Sequence, residues 1–219
     1  MNILIMGAPG SGKGTMSRLI SENFGITHVS SGDLFRQNIK DDTPIGNQAR
    51  EFIEQGLLVP DDITIEIVKE RILEFDCEQG FLLDGFPRTS FQAHAFERIE
   101  KQINRPIDLV INLVVDRELL VKRITGRRMC PVCSSIYNIF LSPPKVKGVC
   151  DKDGRTLLQR PDDTLEALSV RLEQYDTHTQ PMLEYYRERG IVKDIDGSGG
   201  VEPVWKQIKE LMERLNAQE

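Results

Sequence analysis

The chain has 219 residues, 39% of them hydrophobic and 28% charged, a balance that excludes disordered and fibrous classes. Its 28 Lys and Arg against 34 Asp and Glu leave a net charge of −6, which disfavours nonspecific attraction to DNA, RNA or anionic lipid. The first apolar run, "ILIM", is short and has no basic lead-in, so neither a membrane span nor a secretory leader is expected and the cytoplasm is the predicted location. In that reducing compartment clustered cysteines read first as metal ligands, and the isolated Cys77 as a buried or inert thiol.

Taken in chain order, short apolar runs bounded by glycine or polar residues predict strands at 3–6, 81–84, 109–115 and 191–195, with "THVS" at 27–30 as a weaker fifth. Helical patterns fill 15–24, 60–75, 90–103, 116–125, 164–188 and 202–216. Strands alternating with helices predict an α/β fold of three layers, a central parallel five-stranded sheet between helices. Two segments break the alternation: residues 31–59, helical with Gly and Pro punctuation, and residues 126–163, which carry three cysteines and no helical period. The expected core is therefore 1–30, 60–125 and 164–219, with two insertions.

"GAPGSGKGT", residues 7–15, follows the first strand at once and leads into a helix. Glycines at 7, 10, 12 and 14 let backbone N–H groups curl around phosphate oxygens, the helix start adds partial positive charge, and Lys13 reaches the β- and γ-phosphates. A polyphosphate site is predicted over Gly10, Ser11, Gly12, Lys13, Gly14 and Thr15. Gly14 stands where the common phosphate loop has Ser or Thr, and Thr15 follows one place later.

With that loop, the blocks "SSGDLFR" (30–36), "GLLVPD" (56–61), "FLLDGFPRT" (81–89) followed by Gln92, "RITGRR" (123–128) and "QRPDD" (159–163) make the chain resemble the long-lid adenylate kinases over essentially its whole length. The resemblance implies a monomeric P-loop kinase that moves a phosphoryl group from Mg-ATP to AMP, giving two ADP. It implies that Lys13, Arg123 and Arg127 meet the donor and transferring phosphates, and that Arg36, Arg88, Arg160 and Arg171 serve the acceptor side or both. Arginine suits this work because its planar fork binds phosphate bidentately and stays charged. A phosphate acceptor with a second pKa near about 6 needs no general base, so the three histidines, 28, 94 and 178, are read as structural.

Asp84, at the end of "FLLD", can hold Mg²⁺ directly or through water, with Asp33 assisting; turn capping is the alternative for both. Asp162 and Asp163 either latch the lid arginines or cap the following helix. By the same resemblance the 31–59 insertion takes AMP: Ser31, Gly32 and Arg36 at phosphate and sugar, main chain of Leu57, Leu58 and Val59 at base and ribose. Gly85, Phe86, Pro87, Arg88 and Gln92 complete the pocket, where a Gln92 carboxamide can pair with adenine's donor and acceptor edge. Ser31 stands where the family usually has Thr. ATP's adenine is expected against main chain near Gly199, and Ile136 and Tyr137 either touch its base or ribose or form lid core.

The lid's ligand pattern is Cys130-x₂-Cys133, sixteen residues, then Cys150-x₂-Asp153, the spacing of two knuckles closing on one structural zinc. All four positions come from protein, which leaves no open place for a catalytic water. A zinc-ribbon nucleic-acid module, another nucleoside monophosphate kinase and a P-loop ATPase are the competing readings.

Overall fold

In the computed structural model, which describes residues 1–216, five parallel strands form the central sheet in the order β2-β3-β1-β4-β7. These are β1 (Ile3–Gly7), β2 (Thr27–Ser30), β3 (Phe81–Asp84), β4 (Leu109–Val114) and β7 (Val192–Asp196). The register runs Ile5 to Asp84 on one side of β1 and Ile5 to Ile111 on the other. A strand of period two presents alternate residues to opposite faces, and the core divides accordingly. Leu4, Leu83 and Val110 face one apolar cluster, while Ile3, Ile5, Leu82 and Ile111 face the other. Covering both faces is what lets β1 be apolar and buried throughout.

Helices α1 (Lys13–Phe24) and α9 (Val201–Asn216) cover one face through Met16, Ile20, Val204, Ile208 and Met212. The other is covered by α4 (Asp61–Ile72), α5 (Ser90–Ile103) and α8 (Gln180–Glu188) through Ile67, Ile72, Phe96, Met182 and Tyr186. Residues 31–59 fold as α2 (Ser31–Lys40) and α3 (Pro44–Glu54), started by Ser30 and Thr43, whose hydroxyls accept from Asp33 N and Gly46 N. Gly46 brings the two helices into backbone contact: a Cβ there would lie 2.2 Å from Asn38 O. After α6 (Arg117–Thr125), the cysteine segment contains a short antiparallel pair, β5 (Arg127–Met129) and β6 (Ile136–Asn138).

The strands fall where the sequence predicts, within a residue or two. The helix expected over 60–75 stops at Ile72 and gives way to a 3₁₀ turn at Phe75–Cys77. The helix expected over 164–188 is α7 (Leu165–Gln174), a π turn at Tyr175–Thr179 and α8; the helical period continues through the bulge and hides it. The last three residues of the predicted 164–219 core segment lie outside the described residues. No helix among the described residues is long and apolar enough to cross a membrane.

Candidate active site

Parallel strands put all their carboxyl ends on one edge, and ligand sites of such sheets form there. β1 ends at Gly7, β2 at Ser30 and β3 at Asp84, and between them opens a cleft of about 990 Å³. Gly12 caps α1 with a left-handed φ of 103° and no side chain, so the first N–H groups of the helix stay free for an anion. Ser11 Oγ is buried without a partner, a polar group awaiting one. Lys13 Nζ folds back onto the loop, donating to Gly7 O at 2.7 Å and Ala8 O at 3.1 Å. Withdrawal from solvent brings its pKa down to about 8, against the pull of Asp84 and with help from Arg88, Arg171 and Arg127.

Asp84 is the acid beside this lysine. Burial opposes its charge, but His28 and Lys13 outweigh burial and hold the carboxyl below the usual range. His28 Nε2 stands 3.6 Å from Asp84 Oδ2, an electrostatic approach rather than a hydrogen bond, so a histidine read as structural lines the cleft.

Arg36, Arg88, Arg123, Arg127, Arg160 and Arg171 bring their guanidinium groups to the cleft. Arg123 braces its two walls together, donating to Ser11 O at 3.1 Å, Gly197 O at 2.7 Å and Gly199 O at 3.1 Å. Arg127 pairs with both oxygens of the fully buried Asp163 carboxylate, and Arg171 donates to Asp162 Oδ2 at 2.8 Å. The helix cap at this point is Thr164, so the acids act as partners of arginine and not as caps. Arg36 is held by Asp33, which also lies 3.9 Å from Arg160. Arg160 Nε has no partner, and burial with Arg36 and Arg127 nearby lowers its pKa to about 10. Arg88 is likewise brought to about 10, by burial first and then by Arg171. Both remain charged near neutrality.

The structure thus brings Lys13, Asp84, Arg88, Arg123, Arg127, Arg160 and Arg171 to one cleft, together with Gly10, Ser11, Gly12, Gly14 and Thr15. Gly199, Ile136 and Tyr137 line it too. Tyr137 serves the lid as well, since its hydroxyl accepts from Asp151 N at 2.9 Å and lies 3.5 Å from Cys150 Sγ. On the acceptor side Gly32, Arg36, Leu58, Gly85, Phe86 and Pro87 line the cleft. Gly85 has φ +79°, and a Cβ there would sit 2.8 Å from the Arg88 guanidinium and 2.9 Å from Ser31 Oγ.

Four expected residues stand behind that wall. Ser31 is buried and donates to Gly85 O at 2.7 Å, which ties the start of α2 to that loop. Leu57 and Val59 lie outside the lining on either side of Leu58, which faces in. Gln92 is only 1% exposed, and its amide faces protein: Oε1 accepts from Arg88 N at 2.7 Å and Nε2 donates to Asp61 Oδ1 at 2.7 Å. A peptide N–H and a carboxylate thus each take one hydrogen bond of this amide, whose oxygen and NH₂ each keep one further position. Sequence reasoning also missed Asn138, whose Nδ2 donates to Lys122 O at 3.2 Å and Arg123 O at 2.9 Å while Oδ1 accepts from Phe140 N and Leu141 N. This asparagine staples the end of α6 to the β6 turn; nothing in a lone Asn within "IYNIF" signals that.

The metal-ligand expectation can be tested on donor chemistry. Cys130, Cys133, Cys150 and Asp153 offer three sulfurs and a carboxylate oxygen, all within 4.8 Å of one another. Metal–sulfur bonds of about 2.3 Å in a tetrahedron put ligand atoms about 4 Å apart, so the set fits one zinc-sized ion. The cysteines are free, with Cys133 and Cys150 sulfurs 3.5 Å apart, and among the described residues Leu157 alone joins Cys130 and Cys150 as buried apolar core.

A family model described as adenylate kinase matches residues 5–191. The chain belongs to the adenylate kinase family. It is 50% identical over 216 residues to the adenylate kinase of Bacillus velezensis, covering 99% of this chain and 100% of that one. It is 49% identical over 212 residues to that of Bacillus subtilis, covering 97% and 98%. The adenylate kinase of Archaeoglobus fulgidus is 45% identical over 217 residues, covering 99% and 100%. The protein is accordingly a kinase of nucleotide phosphotransfer, and the cationic cleft is its candidate active site.

Proposed function

We propose that the enzyme catalyses reversible transfer of the γ-phosphoryl group from Mg-ATP to AMP, giving two ADP, and so serves adenine nucleotide balance and salvage as a cytoplasmic monomer. In this reading no nucleic acid or membrane takes part. The observation that carries it is the convergence of Lys13 and six arginines from separate segments on one cleft with two arms. Phosphoryl transfer asks a protein for alignment and charge neutralisation and for little covalent chemistry, and cations in that number supply it.

In the proposed division of labour the glycine loop and Lys13 cradle the donor's phosphates, Arg123 and Arg127 cover them from the lid side, and main chain near Gly199 with Ile136 and Tyr137 meets the adenosine. Arg36, Arg88 and Arg171 grip the acceptor phosphate, with Gly32, Leu58 and the Gly85–Phe86–Pro87 turn around the nucleoside. Arg160 spans both. Asp84, kept ionised beside Lys13, is the carboxylate that would hold Mg²⁺, which when bound neutralises charge on the donor phosphates. Cys130, Cys133, Cys150 and Asp153 would hold structural zinc, which when bound braces a segment with almost no apolar core of its own. Residues 31–59 and 126–163 act as arms closing on acceptor and donor, and closure excludes the water that would otherwise take the phosphoryl group.

A coupled ADP-formation assay with a panel of acceptors tests the proposal. AMP is expected to be used well above UMP, CMP and GMP, and Lys13→Met and Arg88→Ala are expected to lower kcat by orders of magnitude while keeping the fold. Rapid ATP hydrolysis without acceptor, or wild-type turnover in either variant, would refute it.

A further inference from the structure

Arg88 is fixed through its backbone as well as its side chain. Its N–H donates to Gln92 Oε1 at 2.7 Å, its carbonyl accepts from Thr179 Oγ1 at 3.0 Å, and its Nε donates to Gly85 O at 2.7 Å. The peptide is clamped on both sides by groups outside its own loop.

A carboxamide can give its oxygen to an N–H only when it is the right way round. Gln92 Nε2 donates to Asp61 Oδ1 at 2.7 Å. An ionised carboxylate only accepts and a peptide N–H only donates, so the two together permit one orientation of the amide between them. Rotated by half a turn, it would set NH₂ against N–H and oxygen against oxygen, and burial would make both mismatches costly. Asp61 is also held in place: it opens α4 and accepts from Thr89 Oγ1 at 3.1 Å, the residue that caps α5.

Thr179 completes the clamp from the other side. It is the last residue of the π turn, is 7% exposed, and makes no side-chain cap bond to α8. Its hydroxyl is therefore spent on the Arg88 carbonyl and not on its own helix. The wider π turn is where functional residues of helices often sit, and here it delivers this hydroxyl to the loop.

We propose that Asp61 and Thr179 are positioning residues for Arg88: Asp61 sets the sense of the Gln92 amide that holds the Arg88 N–H, and Thr179 holds its carbonyl. Together they aim the guanidinium at the acceptor phosphate. The inference rests on the reading of Arg88 as a phosphate-gripping residue. Small misplacements of such a group are expensive in rate.

The test is a set of steady-state measurements on Thr179→Val, Thr179→Ser and Asp61→Asn, each made in wild type and in Arg88→Ala. Asp61→Asn keeps the shape of the acid but offers NH₂ or oxygen alike, so Gln92 can turn. In the wild-type background Thr179→Val and Asp61→Asn are expected to lower kcat roughly three- to tenfold, the worth of one neutral hydrogen bond. The KM for ATP stays unchanged, and the melting temperature falls by only a few degrees, as the loss of one buried hydrogen bond does in a chain of this length. Thr179→Ser restores kcat to within about twofold, since the hydroxyl returns. In Arg88→Ala neither substitution lowers kcat further, because residues acting through one group are not additive. Thr179→Val or Asp61→Asn with wild-type kcat, or with losses of full size in the Arg88→Ala background, would overturn the proposal. Wild-type turnover in Arg88→Ala itself would remove the underlying reading and this inference with it.

Discussion

Lys13 offers a direct electrostatic test of the site, because a lysine that cradles the donor phosphates as proposed is expected to take up a proton when nucleotide binds. In the free protein its pKa lies at about 8, lowered by withdrawal from water and by three arginines and only partly restored by Asp84. At pH 7 about 90% of the side chain is charged, and at pH 9 about 10%. A bound polyphosphate is a far stronger counter-charge than Asp84 and returns the ammonium to at least its ordinary range. The sign follows: above pH 8 the free enzyme has lost a proton that the complex keeps. Binding is then expected to take up about 0.9 proton at pH 9, and affinity to fall about tenfold between pH 7 and pH 9. The ligand's own last proton, with a pKa near about 6, is already gone. Arg88 and Arg160, at about 10, contribute little below pH 9. Calorimetry at pH 9 in two buffers of different ionisation heat measures the uptake directly, with Lys13→Met as control. A wild-type complex forming without proton uptake, or with the same uptake in the variant, would refute the argument.

Two further outcomes probe the arms. Gly46→Ala puts a Cβ 2.2 Å from Asn38 O and 2.6 Å from Ile39 N, both rigid backbone, so α2 and α3 must separate. A cost of about 1–3 kcal/mol, typical of overpacking, is expected to lower the melting temperature by roughly 3–10 °C; a wild-type melting curve would contradict the close helix contact. Treating the protein with a strong chelator, or replacing Cys130 by Ser, is expected to lower thermal stability and to make residues 126–163 the first protease-sensitive segment, with metal counted by native mass spectrometry. Protein that carries no metal before chelation would remove the zinc proposal.

The sheet was legible because each strand is a short apolar run closed by punctuation, and β1 runs straight into a glycine loop whose spacing suits a polyphosphate. The cysteine cluster was legible for a related reason: Cys-x₂-Cys and Cys-x₂-Asp are local patterns, and local patterns survive folding as neighbours. What the sequence concealed are contacts that depend on how distant elements meet. Gln92 has the chemistry of a base reader, yet α4 brings Asp61 to one end of its amide and the Arg88 peptide takes the other. Thr179 is an unremarkable residue in an apparently continuous helix until a π turn sets it opposite residue 88. Asp162 and Asp163 could be caps or partners by sequence; Thr164 taking the cap decides between them.

Those two acids and Asp33 bear on how a chain of net charge −6 can concentrate so many arginines in one place. Withdrawal from water first, and repulsion between neighbouring cations second, lower the pKa values of Lys13, Arg88 and Arg160. Pairing Arg127 with Asp163, Arg171 with Asp162 and Arg36 with Asp33 offsets that repulsion while no ligand is present. In the proposed function, a nucleotide phosphate carrying about two negative charges competes with a single carboxylate for the same fork, so binding there is an exchange of partners rather than the capture of bare charge. On that proposal the exchange weakens affinity relative to an unpaired cluster, which suits reversible transfer: products must leave in either direction, and carboxylates ready to re-pair with the arginines make each departure less costly.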